Sequence, residues 1–243
     1  MARAAQPTII LVRPQMGENI GAVARAMLNF GLKKLSLVAP RDGWPNDKAV
    51  AMAAHATGIL EKAKLYETLD QATAKTQMLY ATTARDRRVS KKVMDARTAM
   101  EHMAAQSAHG VRCALMFGPE RTGLENEDLD LADVLVTIPT APGYASLNIA
   151  QSVVVLGYEW WAASQSATKA SGEPELLASK QQLSAFFDYL AQGLDQSAFW
   201  SSAERRERMW RNLRQSFIRQ QPTAQDVRSW HGMMRHLIQG KKR

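Results

Sequence analysis

The feature that most constrains the fold is the alternation of strand-length apolar runs with helical patterns over the first 160 residues. Five runs have the length and composition of strands: Thr8–Val12, Leu35–Ala39, Gln77–Thr83, Arg112–Phe117 and Asp133–Ile138. Such nearly continuous apolar runs are typical of strands that are buried on both faces of a parallel sheet. The pattern therefore predicts an α/β fold with a mainly parallel sheet covered by helices.

Two stretches between or after these strands have clear helical signals. Ile20, Val23 and Met27 recur at helical spacing after the first strand, and Gly31 stands where a C-terminal cap belongs. A longer apolar stretch, 146–163, follows the last strand and predicts a long helix that packs on the sheet.

The composition changes after residue 164, which predicts a domain boundary. Residues 165–175 are mostly small and polar and contain a Gly and a Pro, as linkers do. Beyond them, residues 176–243 show three helical patterns, the second with an apolar stripe flanked by arginines. We therefore expect a catalytic domain over 1–164, a linker over 165–175 and a basic α-helical extension over 176–243.

The net charge of +8 is concentrated at one end of the chain. Residues 205–243 carry 11 Lys and Arg against Glu207 and Asp226, so this block is +9 and the rest of the chain is −1. Such a block suits a polyanionic partner, although a solvated helix face explains the charge equally well.

Other sequence features bear on location and on the single cysteine. No apolar stretch reaches the roughly 20 residues of a membrane span, and the N-terminal apolar run is too short for a signal peptide, so a cytoplasmic location is expected. Cys113 lies within a predicted strand, which favours a small buried hydrophobic residue over a nucleophile.

Polar residues cluster where predicted strands end, and in an open parallel sheet that edge binds ligands. Asn19 follows the first strand, Glu120 the fourth, and Ser146 and Asn148 the fifth. Each has a structural alternative, because Asn19, Ser146 and Asn148 can simply cap helices. Arg25 is harder to explain structurally, because it lies opposite the apolar face of its predicted helix, where its guanidinium can meet a phosphate.

Several kinds of chemistry lack their sequence signatures. The chain contains neither the glycine pattern of dinucleotide-binding folds nor a phosphate-binding P-loop. Its five histidines show no zinc-hydrolase spacing, so no metal site is expected. An ordinary nucleotide-dependent enzyme is therefore disfavoured.

Three motifs, in this order, resemble those of the TrmH-like SPOUT RNA methyltransferases. They are Asn19-x-Gly21-x-x-x-Arg25, then Phe117-Gly118-x-Glu120-x-x-Gly123-Leu124, then Ile138-Pro139 followed by Ser146-Leu147-Asn148. The stretch Thr82–Arg85 and the C-terminal "NLRQSFIRQQP" narrow the resemblance to the TrmJ branch of that family.

The resemblance implies a fold, a reaction and an assembly. Members of this branch transfer a methyl group from S-adenosylmethionine to the ribose 2′-hydroxyl of nucleotide 32, C or U, in the tRNA anticodon loop. They bind the methyl donor in a C-terminal trefoil knot of the catalytic domain and act as homodimers. Methylation of ribosomal RNA or of another tRNA position is an alternative, as is a non-catalytic RNA-binding dimer.

The resemblance also assigns roles to residues of this chain. The expected catalytic residues are Asn19, Arg25, Glu120, Ser146 and Asn148. The expected contacts to the methyl donor are Thr82, Thr83, Ala84, Gly118, Ile138, Ala145, Ser146 and Leu147. The arginines expected to contact tRNA are Arg85, Arg87, Arg88, Arg121, Arg211 and Arg214.

Overall fold

The computed structural model describes residues 5–84, 91–144, 146–166, 177–197, 199–200 and 202–240. The chain divides into two compact units, Met1–Pro174 and Glu175–Arg243. Of the predicted linker 165–175, only the first two residues are described, and they belong to a helix. No helix in the described parts of the chain is long and apolar enough to cross a membrane.

The first unit is built on one sheet, and every strand pair described in it is parallel. Its strands are β1 (Thr8–Val12), β2 (Lys34–Val38), β3 (Lys64–Tyr66), β4 (Met78–Thr82), β5 (Lys92–Asp95), β6 (Cys113–Phe117) and β7 (Val134–Thr137). In space the strands follow the order β3-β2-β1-β6-β4-β7-β5. The prediction of an α/β fold with a mainly parallel sheet is therefore confirmed.

The five predicted strands are all present, with ends that differ by one residue at most. β3 and β5 escaped prediction because they form the two edges of the sheet, where a strand has one neighbour only. They are three and four residues long and largely exposed, so neither carries the apolar run that identifies a buried strand.

Seven helices accompany this sheet in the described residues; six lie in connections between strands, and the seventh follows the last strand. They are α1 (Gly17–Asn29), α2 (Asp47–Ala53), α3 (Thr57–Glu61), α4 (Leu69–Thr73), α5 (Ala96–Ala108), α6 (Asn126–Asp130) and α7 (Ile149–Ser166). The helix predicted after the first strand is α1, which buries Ile20, Val23 and Met27. Gly31 follows it with a φ of +69°, as a glycine that ends a helix does.

The predicted long helix 146–163 is wrong at its beginning, since α7 begins at Ile149. The reason is a cap: the Oδ1 atom of Asn148 accepts a 2.8 Å hydrogen bond from the Ala150 amide. A capping residue stands outside the helix, so Ser146 and Leu147 lie in the preceding loop. This difference matters, because it leaves both residues beside the site described below.

The second unit contains the three predicted helices, α8 (Lys180–Gln196), α9 (Ala203–Ile218) and α10 (Ala224–Gly240). Its core includes Phe186 and Phe187 of α8. The predicted apolar stripe of α9 packs against this core through Trp210, Leu213 and Phe217. On the same helix, Arg205 and Arg208 are exposed.

Candidate active site

A cavity of about 570 Å³ opens where β4, β6 and β7 reach their carboxyl ends. Its volume is typical of small-molecule sites, which span about 300–1,000 Å³. Four chain segments line it: the start of α1, the loop after β4, the loop after β6 and the loop between β7 and α7. Because neighbouring parallel strands end at the same edge of a sheet, segments distant in sequence meet here.

Seven of the eight residues predicted to contact the methyl donor line this cavity. They are Thr82, Thr83, Ala84, Gly118, Ile138, Ser146 and Leu147. The eighth, Ala145, lies outside the described residues. The lining combines hydroxyl groups with apolar side chains, so it can accommodate a ligand that has both polar and apolar parts.

A chain of hydrogen bonds joins the three motif segments inside the first unit. The Nδ2 atom of Asn148 donates to Oδ1 of Asn19 at 3.2 Å, and Nδ2 of Asn19 donates to Oε1 of Glu120 at 2.8 Å. The other carboxylate oxygen of Glu120 accepts from the Gln15 amide at 2.9 Å. Both oxygens of Glu120 are thus held by neutral donors, which fixes the orientation of the carboxylate.

The structure decides between capping and site roles for the two asparagines. Helix α1 has Met16 as its N-cap, with no side-chain cap, so Asn19 lies inside the first turn and is not the cap. Asn148 does cap α7 through its Oδ1 atom. Its Nδ2 atom remains available for Asn19, so the capping interpretation is correct for Asn148 without excluding a role in the site.

Ser146 is exposed at the cavity wall. Within the described ranges, no residue forms a hydrogen bond with its Oγ atom. A hydroxyl in this setting can donate to, or accept from, a bound ligand. The structure thus brings Asn19, Glu120, Ser146 and Asn148 together around one cavity.

The glycines of the second motif have a steric explanation. A Cβ atom on Gly118 would lie 2.2 Å from the Leu124 nitrogen and 2.4 Å from the Gly123 carbonyl carbon. Gly123 has a φ of +68°, and its amide donates to the Pro119 carbonyl at 2.8 Å. The loop after β6 therefore turns back tightly onto its own start, and glycine allows that close approach.

Arg25 is the predicted catalytic residue that the structure does not bring into the cavity. It is exposed on α1, six residues after Asn19, which corresponds to about 9 Å along the helix axis. In the part of the chain that is described, no acceptor lies within hydrogen-bonding distance of its guanidinium. The side chain faces solvent, where a bound macromolecule can reach it.

The arginines predicted to contact RNA fall into different settings. Arg85, Arg87 and Arg88 lie outside the described residues. Arg121 is exposed and lines the cavity. In the second unit, Arg214 places its guanidinium carbon 5.2 Å from the centre of the Phe187 ring.

The remaining arginine of that set, Arg211, is half-buried on α9. Its Nη2 atom lies 3.5 Å from Oε1 of Glu207, one helical turn earlier. A pair one helical turn apart, with Glu207 exposed and Arg211 half-buried, contributes little to stability.

Sequence reasoning missed two arginines near the site, Arg13 and Arg41. Arg13 follows β1 and pairs with Asp128 of α6. Arg41 follows β2, and its pKa is raised by a hydrogen bond to Asp42 and, to a smaller extent, by the charge of Glu120. Their positions directly after strands were the available signal, but nothing in the sequence shows which acidic residue each one faces.

The next features are the possible metal ligands and the single cysteine, Cys113. The described residues contain no group of three or more His, Cys, Asp and Glu side chains placed to hold a metal ion. Cys113 is buried in β6, as expected for a small hydrophobic residue, and burial raises the pKa of its thiol to about 12. A thiol in this state is a poor nucleophile near neutral pH.

Comparison with known proteins adds independent information. Residues 6–158 match the SpoU rRNA Methylase family. The chain is 35% identical over 230 residues to the tRNA (cytidine/uridine-2′-O-)-methyltransferase TrmJ of Pectobacterium atrosepticum, covering 93% of this chain and 94% of the relative. It is 41% identical over 169 residues to the tRNA (cytidine/uridine/adenosine-2′-O-)-methyltransferase TrmJ of Pseudomonas aeruginosa, covering 66% of this chain and 64% of the relative. The crystal structure of TrmJ from Z. mobilis matches with a TM-score of 0.85 and 39% identity, covering 96% of this chain and 99% of that one.

Proposed function

The chain belongs to the SpoU rRNA methylase family, in its TrmJ branch, and from that premise we propose that it transfers a methyl group from S-adenosylmethionine to the 2′-hydroxyl of a tRNA ribose. The observation that carries this proposal is the cavity in which the three family motifs meet. Its lining residues come from four segments, and a chain of hydrogen bonds connects Asn148, Asn19 and Glu120 across it.

The residues of the cavity fit S-adenosylmethionine. Its volume suits a ligand of that size, and its wall offers hydroxyl groups at Thr82 and Thr83 beside apolar side chains at Ile138 and Leu147. Glu120 supplies a carboxylate there, which complements a positively charged sulfonium. Bound there, S-adenosylmethionine would supply an intrinsically activated methyl group, so positioning of the acceptor supplies much of the acceleration.

The acceptor ribose is held by the polar side chains at the cavity wall. Ser146 offers an exposed hydroxyl, and Asn148 lies two residues further along the same loop. Asn148 cannot turn freely, because it caps α7 and donates to Asn19, which in turn donates to Glu120. This fixed geometry orders the site before the ribose arrives and lowers the entropy cost of aligning its 2′-oxygen.

We propose that Arg25 binds a phosphate of the RNA backbone and does not abstract the proton. An arginine guanidinium stays protonated in proteins, so it cannot serve as a general base. Its planar fork can hold a phosphate through two hydrogen bonds, and its exposed position on α1 suits a group that belongs to another molecule. The proton of the 2′-hydroxyl then leaves to water or to a phosphate oxygen.

A homodimer is part of the proposal, and an exposed apolar surface supports it. Leu28 of α1 and Val154 and Tyr158 of α7 are large hydrophobic side chains left exposed on helices that pack against each other. The ring of Tyr158 contacts Phe30 at the end of α1, with 6.3 Å between ring centres. Exposed apolar side chains on two packed helices suit contact with a second copy of the chain.

The helical unit at the C-terminal end is proposed to bind the tRNA. Most of the excess positive charge of the chain lies in residues 205–243, and Arg205 and Arg208 are exposed on α9. Phosphate contacts dominate the affinity of proteins for nucleic acids, so these side chains are suited to hold a large polyanion. The boundaries proposed for the functional domains remain 1–164, 165–175 and 176–243.

The finer features that the family resemblance implies are also part of the proposal. They are the target nucleotide 32 of the anticodon loop, the trefoil knot in the methyl-donor domain and a cytoplasmic location. The parallel sheet and the match of residues 6–158 to the family support the knot, and the likeness to the TrmJ enzymes supports the choice of tRNA.

One experiment tests the reaction and its substrate together. The purified protein is incubated with methyl-labelled S-adenosylmethionine and either unmodified tRNA transcripts or ribosomal RNA, and the labelled nucleotide is mapped by nuclease digestion and mass spectrometry. The expected product is a 2′-O-methyl group at nucleotide 32 of tRNA. Label in ribosomal RNA alone would show that ribosomal RNA is the substrate, and label at another tRNA position would show that the target nucleotide is not nucleotide 32. Donor binding without transfer to any RNA would indicate a non-catalytic binding protein.

A further inference from the structure

Arg13 stands directly after β1 in an unusual backbone conformation. Its φ is +48°, in the left-handed region that residues other than glycine seldom adopt. The Arg13 amide donates to the Val38 carbonyl at 2.8 Å, which extends the pairing of β1 with β2 by one residue. Such strained residues cluster at functional sites, where the surrounding structure holds them in place.

The side chain of Arg13 forms a forked ion pair with α6. Its Nη1 atom donates to Oδ1 of Asp128 at 3.2 Å, and its Nη2 atom donates to Oδ2 of the same carboxylate. Nη2 also lies 3.4 Å from Oε2 of Glu125. The Asp128 side chain is only 7% exposed, whereas that of Arg13 is 36% exposed, so the pair anchors a buried acid to the end of β1.

Asp128 in turn orders the end of the loop that precedes α6. Its Oδ2 atom accepts a 2.9 Å hydrogen bond from the Glu125 amide, as part of the capping box of α6. The loop therefore has two attachments to the segment after β1. One is the Arg13–Asp128 pair near its end, and the other is the Gln15 amide bound to Glu120 near its beginning.

We propose that Arg13 is a positioning residue for methyl transfer, because it holds the loop 118–125 in the position that places Glu120 against Asn19. Arg13 does not line the cavity, so it acts through Asp128 and not by touching a ligand. The inference rests on the proposed function, because it assigns Arg13 to the same reaction.

Stability alone is a weak explanation for this pair. The cost of desolvating two charges means that apolar side chains of similar size often stabilise a fold as well as a buried ion pair does. The forked geometry, however, fixes direction and distance, which apolar packing does not. The chain also has a left-handed backbone conformation at Arg13, the residue whose side chain pairs with α6.

The test compares a single and a double substitution in the full-length protein. Arg13→Met leaves Asp128 buried without its partner and can impair folding. The informative variant is therefore Arg13→Met/Asp128→Asn, which removes both charges but keeps a side-chain oxygen at position 128 to accept from the Glu125 amide. Arg97→Met is the matched control, because Arg97 forms a 3.4 Å ion pair with Glu159 between α5 and α7, away from the cavity. The readouts are thermal unfolding, S-adenosylmethionine affinity, the single-turnover transfer rate at saturating donor and tRNA, and amide hydrogen exchange over 118–125.

The double variant is expected to unfold near the wild-type temperature. Its transfer rate should nevertheless fall roughly 10- to 100-fold, because small misplacements of catalytic groups cost about that much. Donor affinity should change far less than the rate, and exchange over 118–125 should become faster. Arg97→Met should match the wild type in all four measurements.

Wild-type transfer rate and wild-type exchange in a folded double variant would overturn the inference and leave the pair a purely stabilising role. A loss of donor affinity as large as the loss of rate would also overturn it, because the loop would then serve binding alone. Exchange over 118–125 does not depend on activity. If the wild-type protein methylates no RNA, the proposed function fails, and unchanged exchange in the double variant still refutes the role of Arg13 separately.

Discussion

The substitution Gly118→Ala offers a sharp test of how the loop after β6 shapes the cavity. The added Cβ atom would lie 2.2 Å from the Leu124 nitrogen, whereas ordinary van der Waals distances begin at 3.4 Å. The loop must therefore move by about 1.2 Å to accept a single methyl group. The obstructing atoms belong to the backbone of Gly123 and Leu124, so no side-chain rotation can relieve the clash.

The expected loss of kcat/KM depends on which part of the loop must move. Leu124 is anchored by its buried side chain in the core of the sheet, so the displacement falls on the loop that carries Glu120. A 1 Å misplacement can reduce a reaction rate by about 100-fold, which corresponds to about 2.7 kcal/mol of activation free energy. Overpacking also lowers the free energy of unfolding, by about 1–3 kcal/mol. We expect kcat/KM for methyl transfer to fall by about that factor, and donor affinity to weaken as well.

The assay needs a glycine control in the same unit. Gly58 lies within α3, and an added Cβ atom there would meet nothing within 4 Å, so Gly58→Ala creates no clash. It should stabilise the protein by about 0.5–1 kcal/mol, because alanine loses less backbone entropy on folding. Urea unfolding, calorimetric binding of S-adenosylmethionine and initial transfer rates are measured for both variants. Wild-type donor affinity and kcat/KM in Gly118→Ala would refute the steric reasoning.

Three further predictions concern groups outside this loop. Arg25→Lys should retain donor affinity but lose turnover by roughly 10- to 150-fold, since one charged hydrogen bond contributes about 1.5–3 kcal/mol; wild-type turnover would end the phosphate-clamp assignment. Arg205→Glu/Arg208→Glu should weaken tRNA binding and reduce its salt slope by about two, one for each phosphate that is no longer bound. Donor affinity should stay unchanged in that variant, and an unaltered salt slope would exclude α9 from the tRNA interface. Cys113 should resist iodoacetamide at pH 8 in the native protein, because burial raises the pKa of its thiol to about 12. The urea-unfolded chain, with a thiol pKa of about 8.5, should react readily, and rapid labelling of the native protein would contradict the burial.

The central part of the fold could be predicted from the sequence because burial leaves a pattern there. β1, β4 and β6 lie side by side in the middle of the sheet, and their apolar runs predicted them almost to the residue. β3 and β5 lie at the edges and expose most of their residues, so their sequences resemble those of loops. The helix predicted over 146–163 was wrong at its beginning, because the hydrogen bond from the Ala150 amide to Asn148 sets the start of α7 at Ile149.

Four of the five predicted catalytic residues, all except Arg25, line the cavity, but the hydrogen bonds between them could not be predicted. The carboxyl ends of neighbouring parallel strands lie at the same edge of a sheet. The sequence therefore predicted that Asn19, Glu120 and Asn148 lie close together. The two hydrogen bonds that join these side chains connect residues that lie 101 and 129 positions apart in the sequence. No local sequence pattern records such bonds. The same holds for Arg13, whose partner Asp128 lies 115 positions away.

A crystal structure of the protein with S-adenosylhomocysteine, the product left after methyl transfer, would show directly whether this cavity binds the methyl donor. We expect the product to occupy the cavity and to contact Thr82, Gly118 and Leu147, with Glu120 still bound to Asn19. Product bound elsewhere in the first unit, or a cavity that stays empty at saturating product, would contradict the assignment of this cavity to methyl transfer.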